Sequence, residues 1–175
     1  MKQIEVQNYK TSIGELLIGS FEDQLCLMDY RYRRMRTTVD KRIQSTLQAE
    51  YVETDSQIIE ETKKQLEEYL NKGRTQFDIP ILFAGSDFQR SVWNALLQIP
   101  YGETRSYSEL AESLGNLKAI RAVASANGAN SMSILVPCHR IIESNGGLGG
   151  YAGGLSVKRK LINLESNGAE QTSFL

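Results

Sequence analysis

Three short runs of strand-like composition, separated by polar links, lie near the start of the chain at residues 4–9, 14–19 and 25–30. Runs of this length and composition are typical of strands, and the short polar links between them favour antiparallel neighbours. The pattern therefore predicts an antiparallel meander. A further run at residues 76–83 predicts another strand.

A period near 3.6 residues predicts a helix over residues 56–71. The residues on its predicted buried face are Ile59, Thr62, Leu66, Tyr69 and Leu70. Glu60 and Lys64 are expected to pair on the outer face, and Gly73 is expected to cap the helix end. The basic cluster at residues 31–36 includes a tyrosine, which is compatible with nucleic-acid binding, but a solvated edge or loop is the commoner role of such a cluster.

Strand patterning gives way to helical patterning near residues 84–86. We therefore predict an α+β chain, with a small N-terminal α+β domain over residues 1–85 and a mostly helical C-terminal domain over residues 86–175. Ser86 or Asp87 can cap the first helix of the second domain, which is expected to end before Pro100. Its predicted apolar face contains Phe88, Val92, Trp93 and Leu96.

The next stretch has the outline of a helix-turn-helix unit of winged-helix-like type. Ser106 and Glu109 have the spacing of a capping box, which predicts a second helix ending at Gly115. The residues expected to turn inward are Leu110, Ala111 and Leu114. Asn116 can cap a third helix that runs to about residue 127. Two short helices joined by a turn that contains glycine are typical of DNA-binding units.

The predicted third helix consists almost entirely of small residues after Arg121, its one long cation. Small side chains allow a backbone to approach another surface closely. That surface is either another helix, which is the commoner case, or the floor of a nucleic-acid groove. The pattern alone leaves both interpretations open.

The chain's only histidine follows one of its two cysteines, in the sequence Cys138-His139. Residues 134–136 are apolar and predict a short buried strand, which Pro137 would end because proline has no N–H. A thiol becomes a nucleophile only as a thiolate, and a neighbouring base or cation promotes its ionisation. Neighbours in an extended chain face opposite ways, so a turn or a bridging water is needed between the two side chains. A structural cysteine beside a hydrogen-bonded histidine is the commoner arrangement for a bare pair.

Six glycines fall among the nine residues 146–154, and a final helix capped by Ser156 is predicted to follow. The glycines match a dinucleotide fingerprint only formally, and a tight pocket wall beside Cys138 explains them better. Val157, Leu161 and Leu164 are expected along one side of the helix, which ends near Glu165. Glu165 is the best-placed acid to orient His139, although a solvated carboxylate is the simpler interpretation. The last ten residues are polar and are expected to fray.

Composition restricts the possible functions without selecting one. The chain carries 20 basic and 21 acidic residues, so it lacks the charge of a polybasic nucleic-acid binder. Residues 1–85 contain 12 basic and 14 acidic residues, a net charge of −2, whereas residues 86–165 contain 8 and 6, a net of +2. One histidine and two distant cysteines predict neither a zinc site nor a disulfide framework. The N-terminus has no apolar leader, and we expect a reduced intracellular compartment.

Several motifs together resemble the methylated-DNA–protein-cysteine methyltransferases, the 6-O-alkylguanine-DNA alkyltransferases. They are Pro-Cys-His-Arg at residues 137–140 after a short apolar run, Arg-Ala-Val at residues 121–123 with Asn130 downstream, Tyr-Ala-Gly-Gly at residues 151–154, and the closing helix with Glu165. The likeness is strong over residues 88–165 and looser over residues 1–85. One departure is Ser131, which stands where many members have proline.

The resemblance implies a DNA-repair protein that transfers the alkyl group of 6-O-alkylguanine, and of 4-O-methylthymine, once and irreversibly to its own cysteine. It implies that Cys138 is the acceptor, that His139 removes the thiol proton through a water, and that Glu165 orients the imidazole. Tyr107 would donate a proton to the departing guanine, and Asn130 would brace the active-site turn.

The resemblance also implies that the damaged nucleotide is flipped out of double-stranded DNA, with Arg121 filling the gap. The other implied DNA contacts are Ala122, Ser125, Ala126 and Arg140. The implied residues of the base pocket are Tyr151, Ala152, Gly153 and Lys158. No cofactor is implied, and we expect a cytoplasmic monomer that joins the nucleoid when it is bound to DNA.

Two alternatives have distinct consequences. A DNA-binding module that senses alkylated bases without repairing them would bind the lesion and form no adduct, although the non-repairing relatives lack this cysteine. A cysteine acyl hydrolase using Cys138 and His139 would turn over esters or amides, and it would have no use for a helix-turn-helix.

Overall fold

A computed structural model describes residues 1–166. Internal contacts divide the chain into two compact units, Met1–Ser86 and Asp87–Leu175. The fraying expected of the last ten residues falls, apart from Ser166, outside the described residues. Within the described part of the chain, every helix is too short or too polar to cross a membrane.

The first unit is built on a four-stranded sheet. The first three strands are β1 (Lys2–Thr11), β2 (Gly14–Phe21) and β3 (Gln24–Tyr30), and they form the predicted antiparallel meander. The sheet has a fourth strand that the sequence did not predict, because β4 (Ala49–Glu53) pairs with β1 in parallel and gives the order β3-β2-β1-β4. Such a pairing needs a crossover, and helix α1 (Arg36–Leu47) provides it.

Helix α1 overlaps the basic cluster at residues 31–36, which is not simply a solvated loop. Asp29 at the end of β3 is fully buried, and its carboxylate binds Arg33 at 3.0 Å and Arg36 at 3.1 Å. A buried carboxylate requires such partners. Two arginines of the cluster therefore contribute to the core of the first unit.

Helix α2 (Gln57–Leu70) forms as the periodicity predicts, with the Ser56 side chain accepting a hydrogen bond from the Ile59 N–H at its start. Its surface pair is Lys63 with Glu60, at 3.0 Å, and not the expected Lys64. Lys72 adopts the left-handed conformation after the helix, whereas Gly73 donates its N–H to the Glu68 carbonyl.

The predicted strand at residues 76–83 is wrong. Pro80 lacks the N–H that a strand ladder needs, and the segment makes only a single parallel bridge, from Ile81 to Leu25. Two backbone hydrogen bonds fix it to β3: Leu25 donates to the Pro80 carbonyl, and Leu82 donates to the Leu25 carbonyl, each at 2.8 Å.

The second unit is mostly helical. Its helices are α3 (Asp87–Leu96), α4 (Tyr107–Ser113), α5 (Ile120–Gly128) and α6 (Leu155–Glu165). Helices α3, α4 and α5 contact one another, and the Trp93 indole donates a hydrogen bond of 2.9 Å to the Ala126 carbonyl. Phe88 was expected on the buried face of α3, but it lies in the first turn of the helix and is 40 % exposed.

The predicted start of α4 is confirmed, whereas the starts of α5 and α6 differ from expectation. Ser106 and Glu109 form the complete capping box, so Tyr107 is fixed as the first residue of α4. Asn116 makes no side-chain cap, and a 3₁₀ turn (Leu117–Ala119) precedes α5. Gly154, not Ser156, is the residue before α6. The buried side of α6 carries Lys158, Leu161, Ile162 and Glu165, whereas Val157 and Leu164 are only half-buried.

Candidate active site

The segment that leads to Cys138 is a folded turn and not the predicted strand. Ile134 has a φ of +77°, which a β-branched residue rarely adopts, and the Val136 N–H donates to the Met132 carbonyl at 2.9 Å. The buried Asn130 side chain spans the turn, donating from Nδ2 to the Val136 carbonyl at 2.8 Å and accepting the Met132 N–H at 3.0 Å. Asn130 therefore holds this strained turn in shape.

Cys138 begins a 3₁₀ turn (Cys138–Arg140) in which its neighbour His139 is completely buried. The His139 Nε2 lies 2.8 Å from Glu165 Oε2. Burial lowers the pKa of His139, which favours the neutral imidazole. A carboxylate only accepts hydrogen bonds, so Nε2 carries the single proton and Nδ1 is a base. Among the described residues, Nδ1 has no hydrogen-bond partner, so its lone pair is available.

Arg140 binds the same carboxylate from its other side. Its Nε donates to Glu165 Oε1 at 2.8 Å, its Nη2 donates to Oε2 at 3.0 Å, and its Nη1 donates to the Ile99 carbonyl at 2.6 Å. Burial alone would raise the pKa of Glu165, but the interactions with His139 and Arg140 outweigh burial and lower the pKa to about 2. The implied DNA contact at Arg140 is therefore corrected, because its guanidinium is buried and used inside the protein.

A two-residue parallel ladder joins the Cys138 turn to helix α4. Strand β5 (Arg105–Ser106) directly precedes Tyr107, and strand β6 (Ile141–Ile142) directly follows the Cys138–Arg140 turn. Their pairing brings the Tyr107 phenol and the Cys138 thiol to the same site. Burial, followed by the negative charges of Cys138 and Glu143, raises the pKa of Tyr107, so the phenol keeps its proton at neutral pH.

The glycine-rich loop covers Tyr107 and is tied down by Lys158. Lys158 is fully buried, and its Nζ donates to the carbonyls of Ile141 at 2.5 Å, Gly150 at 3.1 Å and Leu148. Gly149 has a φ of +71°, and a Cβ there would lie 3.0 Å from the Tyr107 hydroxyl. Lys158 therefore positions the loop, and it is not itself among the residues that line the cleft described next.

Tyr107 lies in the wall of an open cleft of about 930 Å³. The other lining side chains include Arg121 of α5, Glu143, Tyr151 and two residues of α6, Leu155 and Arg159. Tyr151 also packs edge-on against His139, with ring centroids 6.5 Å apart. Cys138, which is 6 % exposed, and the half-buried Ala152 and Gly153 are not part of this lining.

Helix α5 presents only part of its predicted contact surface. Arg121, Ala122 and Ser125 are exposed, as a DNA-contacting face requires. Ala126 is buried and lies beneath Trp93, so it is corrected from a DNA contact to a packing position. Helix packing thus accounts for the small residues on one face of α5, whereas the small residues on the other face are exposed.

Three residues of the site were missed or given another role from sequence: Arg140 as the partner of Glu165, Gly149 as the neighbour of Tyr107, and Arg159 in the cleft. The helical spacing of Arg159 from Leu155 was the one available signal, because residues four apart share a helix face. Among the described residues, no group of three or more His, Cys, Asp or Glu side chains is arranged to hold a metal ion.

Two family models match the chain. Residues 87–167 match the DNA-binding domain of 6-O-methylguanine DNA methyltransferase, and residues 6–83 match the ribonuclease-like domain of the same family. Two similar curated relatives are the methylated-DNA–protein-cysteine methyltransferase of Methanosarcina acetivorans and the constitutive one of Bacillus subtilis. The first is 40 % identical over 91 % of this chain and 96 % of its own length, and the second is 41 % identical over 89 % and 92 %.

Solved structures from Mycobacterium tuberculosis are similar over nearly the whole chain. The crystal structure of its 6-O-methylguanine methyltransferase superposes with a TM-score of 0.78 at 35 % identity, covering 98 % of this chain and 99 % of that one. A complex of the OGT protein of that organism with DNA superposes with a TM-score of 0.75 at 36 % identity, covering 93 % and 92 %.

Proposed function

This chain belongs to the methylated-DNA–protein-cysteine methyltransferase family, and we propose that it repairs DNA by moving the alkyl group of a 6-O-alkylguanine onto its own Cys138. The observation that carries the assignment of the acceptor is the His139–Glu165 pair beside Cys138. Glu165 accepts a hydrogen bond from the Nε2–H, and Nδ1 is left as a base one residue from the thiol. The same pair would suit a hydrolase, so the cleft and helix α5 are needed to select DNA as the substrate.

In the proposed reaction, His139 Nδ1 accepts the Cys138 proton through a water, and the thiolate sulfur attacks the alkyl carbon. The new carbon–sulfur bond forms as the bond from carbon to guanine O6 breaks, and its electron pair leaves with the base. Tyr107 neutralises the departing guanine by donating its phenolic proton. The proton held on His139 then returns through solvent to Tyr107, so the overall reaction converts a thiol and an alkylated base into a thioether and guanine.

The damaged nucleotide must leave the DNA duplex before its alkyl group can meet Cys138. In-line displacement needs the sulfur opposite the departing oxygen, and a base stacked in a duplex does not offer that approach to a buried cysteine. We propose that the base enters past Tyr107 and Tyr151 while Arg121 fills the gap in the duplex. The exposed small residues Ala122 and Ser125 let α5 enter a narrow minor groove.

The thioether product contains no carbonyl for water to attack, so each chain is expected to act once and to need no cofactor. We infer that the partner is double-stranded DNA bound by a monomer. We also infer a cytoplasmic location, at the nucleoid when the protein is bound to DNA.

The test is to incubate the protein with a duplex that carries 6-O-methylguanine and to measure intact and peptide masses. We expect one methyl group per chain, confined to the Cys138 peptide and absent from Cys138→Ser. Cys26 provides a matched control, because it is buried and burial raises its pKa to about 12. Cys26→Ser should accept the methyl group as the wild type does.

The same experiment separates the two alternatives. Binding to the damaged duplex without an adduct would favour a lesion sensor. Hydrolysis of a thiol-reactive ester by the wild type but not by Cys138→Ser, with no adduct from DNA, would favour an acyl hydrolase.

A further inference from the structure

The cleft in the second unit is lined by two exposed arginines from different helices. Arg121 lies at the start of α5, and Arg159 lies in the middle of α6. Among the described residues neither guanidinium forms a hydrogen bond or an ion pair, unlike the buried Arg140. An unpaired guanidinium at the edge of a cavity is available for an anionic ligand.

Helix α6 presents a defined face to this cleft. Leu155 and Arg159 are four residues apart, so they lie on the same side of the helix, and both line the cleft. Lys160 is also exposed, but it points about 100° away around the helix axis and is not among the lining residues. The acid in this lining is Glu143, so the two arginines leave the cleft with a net positive charge.

An extruded nucleotide carries its sugar and both flanking phosphodiesters toward the protein. If the base enters this cleft and Arg121 occupies the duplex, the rotated backbone must pass between α5 and α6. The planar guanidinium fork fits a phosphodiester, and the exposed Leu155 beside it offers an apolar surface to the sugar. We propose that Arg159 binds a phosphate that flanks the extruded nucleotide and holds the backbone in its rotated form.

This proposal rests on the proposed function, and its test uses the full chain. Arg159→Gln is compared with Lys160→Gln, which removes the same charge from the neighbouring position of the same helix. We expect Arg159→Gln to slow methyl transfer from duplex 6-O-methylguanine about tenfold, as loss of one charged hydrogen bond would. Lys160→Gln should slow it less than twofold. Lys160→Gln should react with free 6-O-benzylguanine at the wild-type rate, and Arg159→Gln should lose much less rate on the free base than on the duplex, because the free base has no phosphate.

Neutral methylphosphonates placed one at a time around the lesion identify the phosphate. A methylphosphonate next to the damaged nucleotide should slow methyl transfer by the wild type and by Lys160→Gln, yet cause no further loss of rate in Arg159→Gln. The proposal is overturned if Arg159→Gln and Lys160→Gln react with duplexes at the same rate, or if Arg159→Gln loses as much rate on the free base as on the duplex. It is also overturned if every methylphosphonate slows Arg159→Gln as much as it slows the wild type. Absence of any wild-type adduct would instead overturn the proposed function.

Discussion

Glu165→Gln removes one charge while preserving the shape of the side chain at the centre of the site. The carboxylate accepts hydrogen bonds from Arg140 Nε on Oε1 and from both Arg140 Nη2 and His139 Nε2 on Oε2. An amide has only one oxygen, so its NH₂ group must face an Arg140 donor in either orientation. Where the NH₂ group replaces Oε2, it donates to His139 Nε2, and the imidazole proton moves to Nδ1.

The geometry sets the size of two effects, a loss of stability and a slower reaction. Removal of one partner from a buried ion pair costs about 3 kcal/mol of unfolding free energy. A proton on Nδ1 would leave the thiol without its base, and a cysteine of ordinary pKa, about 8.5, is only about 3 % ionised at pH 7. We therefore expect Glu165→Gln to react roughly 30-fold more slowly than the wild type at pH 7. At about pH 9 hydroxide ionises the thiol directly, and the two rates should converge.

The assay is the rate of adduct formation with free 6-O-benzylguanine between about pH 6.5 and 9.5, which leaves DNA binding out of the measurement. Glu112→Gln, an exposed glutamate of α4, is the matched control and should follow the wild type. A rate ratio between Glu165→Gln and the wild type that stays constant with pH would refute the role in proton removal.

Acid unfolding gives an independent check on the same charge. Because the pKa of Glu165 lies near 2 in the folded chain and at 4.5 ordinarily, its contribution to stability is complete above pH 4.5. That contribution is lost as the pH falls toward 2. The stability advantage of the wild type over Glu165→Gln, measured by urea unfolding, should therefore shrink over this range. An advantage that does not change with pH would show that the charge itself is not responsible.

Three further changes test the surroundings of Cys138. Tyr107→Phe should slow transfer about 100-fold on both duplex and free base, since guanine leaves in each case; a loss on duplex alone would contradict the proton-donor role. Gly149→Ala should slow both reactions more than Gly146→Ala, measured as rates, because both positions have positive φ but only a Cβ at 149 meets Tyr107. Burial lowers the pKa of Lys158 from 10.5 to about 8, so the unfolded chain binds more protons than the folded chain between these pH values. The free energy of unfolding of the wild type, measured with urea, should therefore rise by up to about 3 kcal/mol relative to Lys158→Met as the pH rises from 8 to 10.5. A difference that does not change with pH would contradict this.

The elements that local patterns specify are the ones that sequence predicts well. The meander, α2 and the capping box before Tyr107 each depend on residues a few positions apart. Strand β4 and the two-residue ladder of β5 with β6 depend on pairing between distant segments, and neither has a local pattern that distinguishes it from a loop. Residues 134–136 show the opposite error, a strand predicted where the chain forms a turn. Their apolar composition predicts the burial of Ile134 and Val136 but does not reveal the positive φ of Ile134.

The site residues also differ in how far the sequence predicts them. Cys138 and His139 can be proposed from their chemistry alone, since a thiol beside the only imidazole is a candidate nucleophile in any fold. Arg140 is different, because the family resemblance implies a DNA contact there, and only the fold shows that Glu165 is buried beside it. A buried carboxylate that already binds a neutral imidazole still needs a cation, and the residue next to His139 is the nearest one. The Pro-Cys-His-Arg sequence thus places the proposed nucleophile, its proposed base and the cation that binds Glu165 on three consecutive residues. This relation becomes visible only once α6 brings Glu165 back to them.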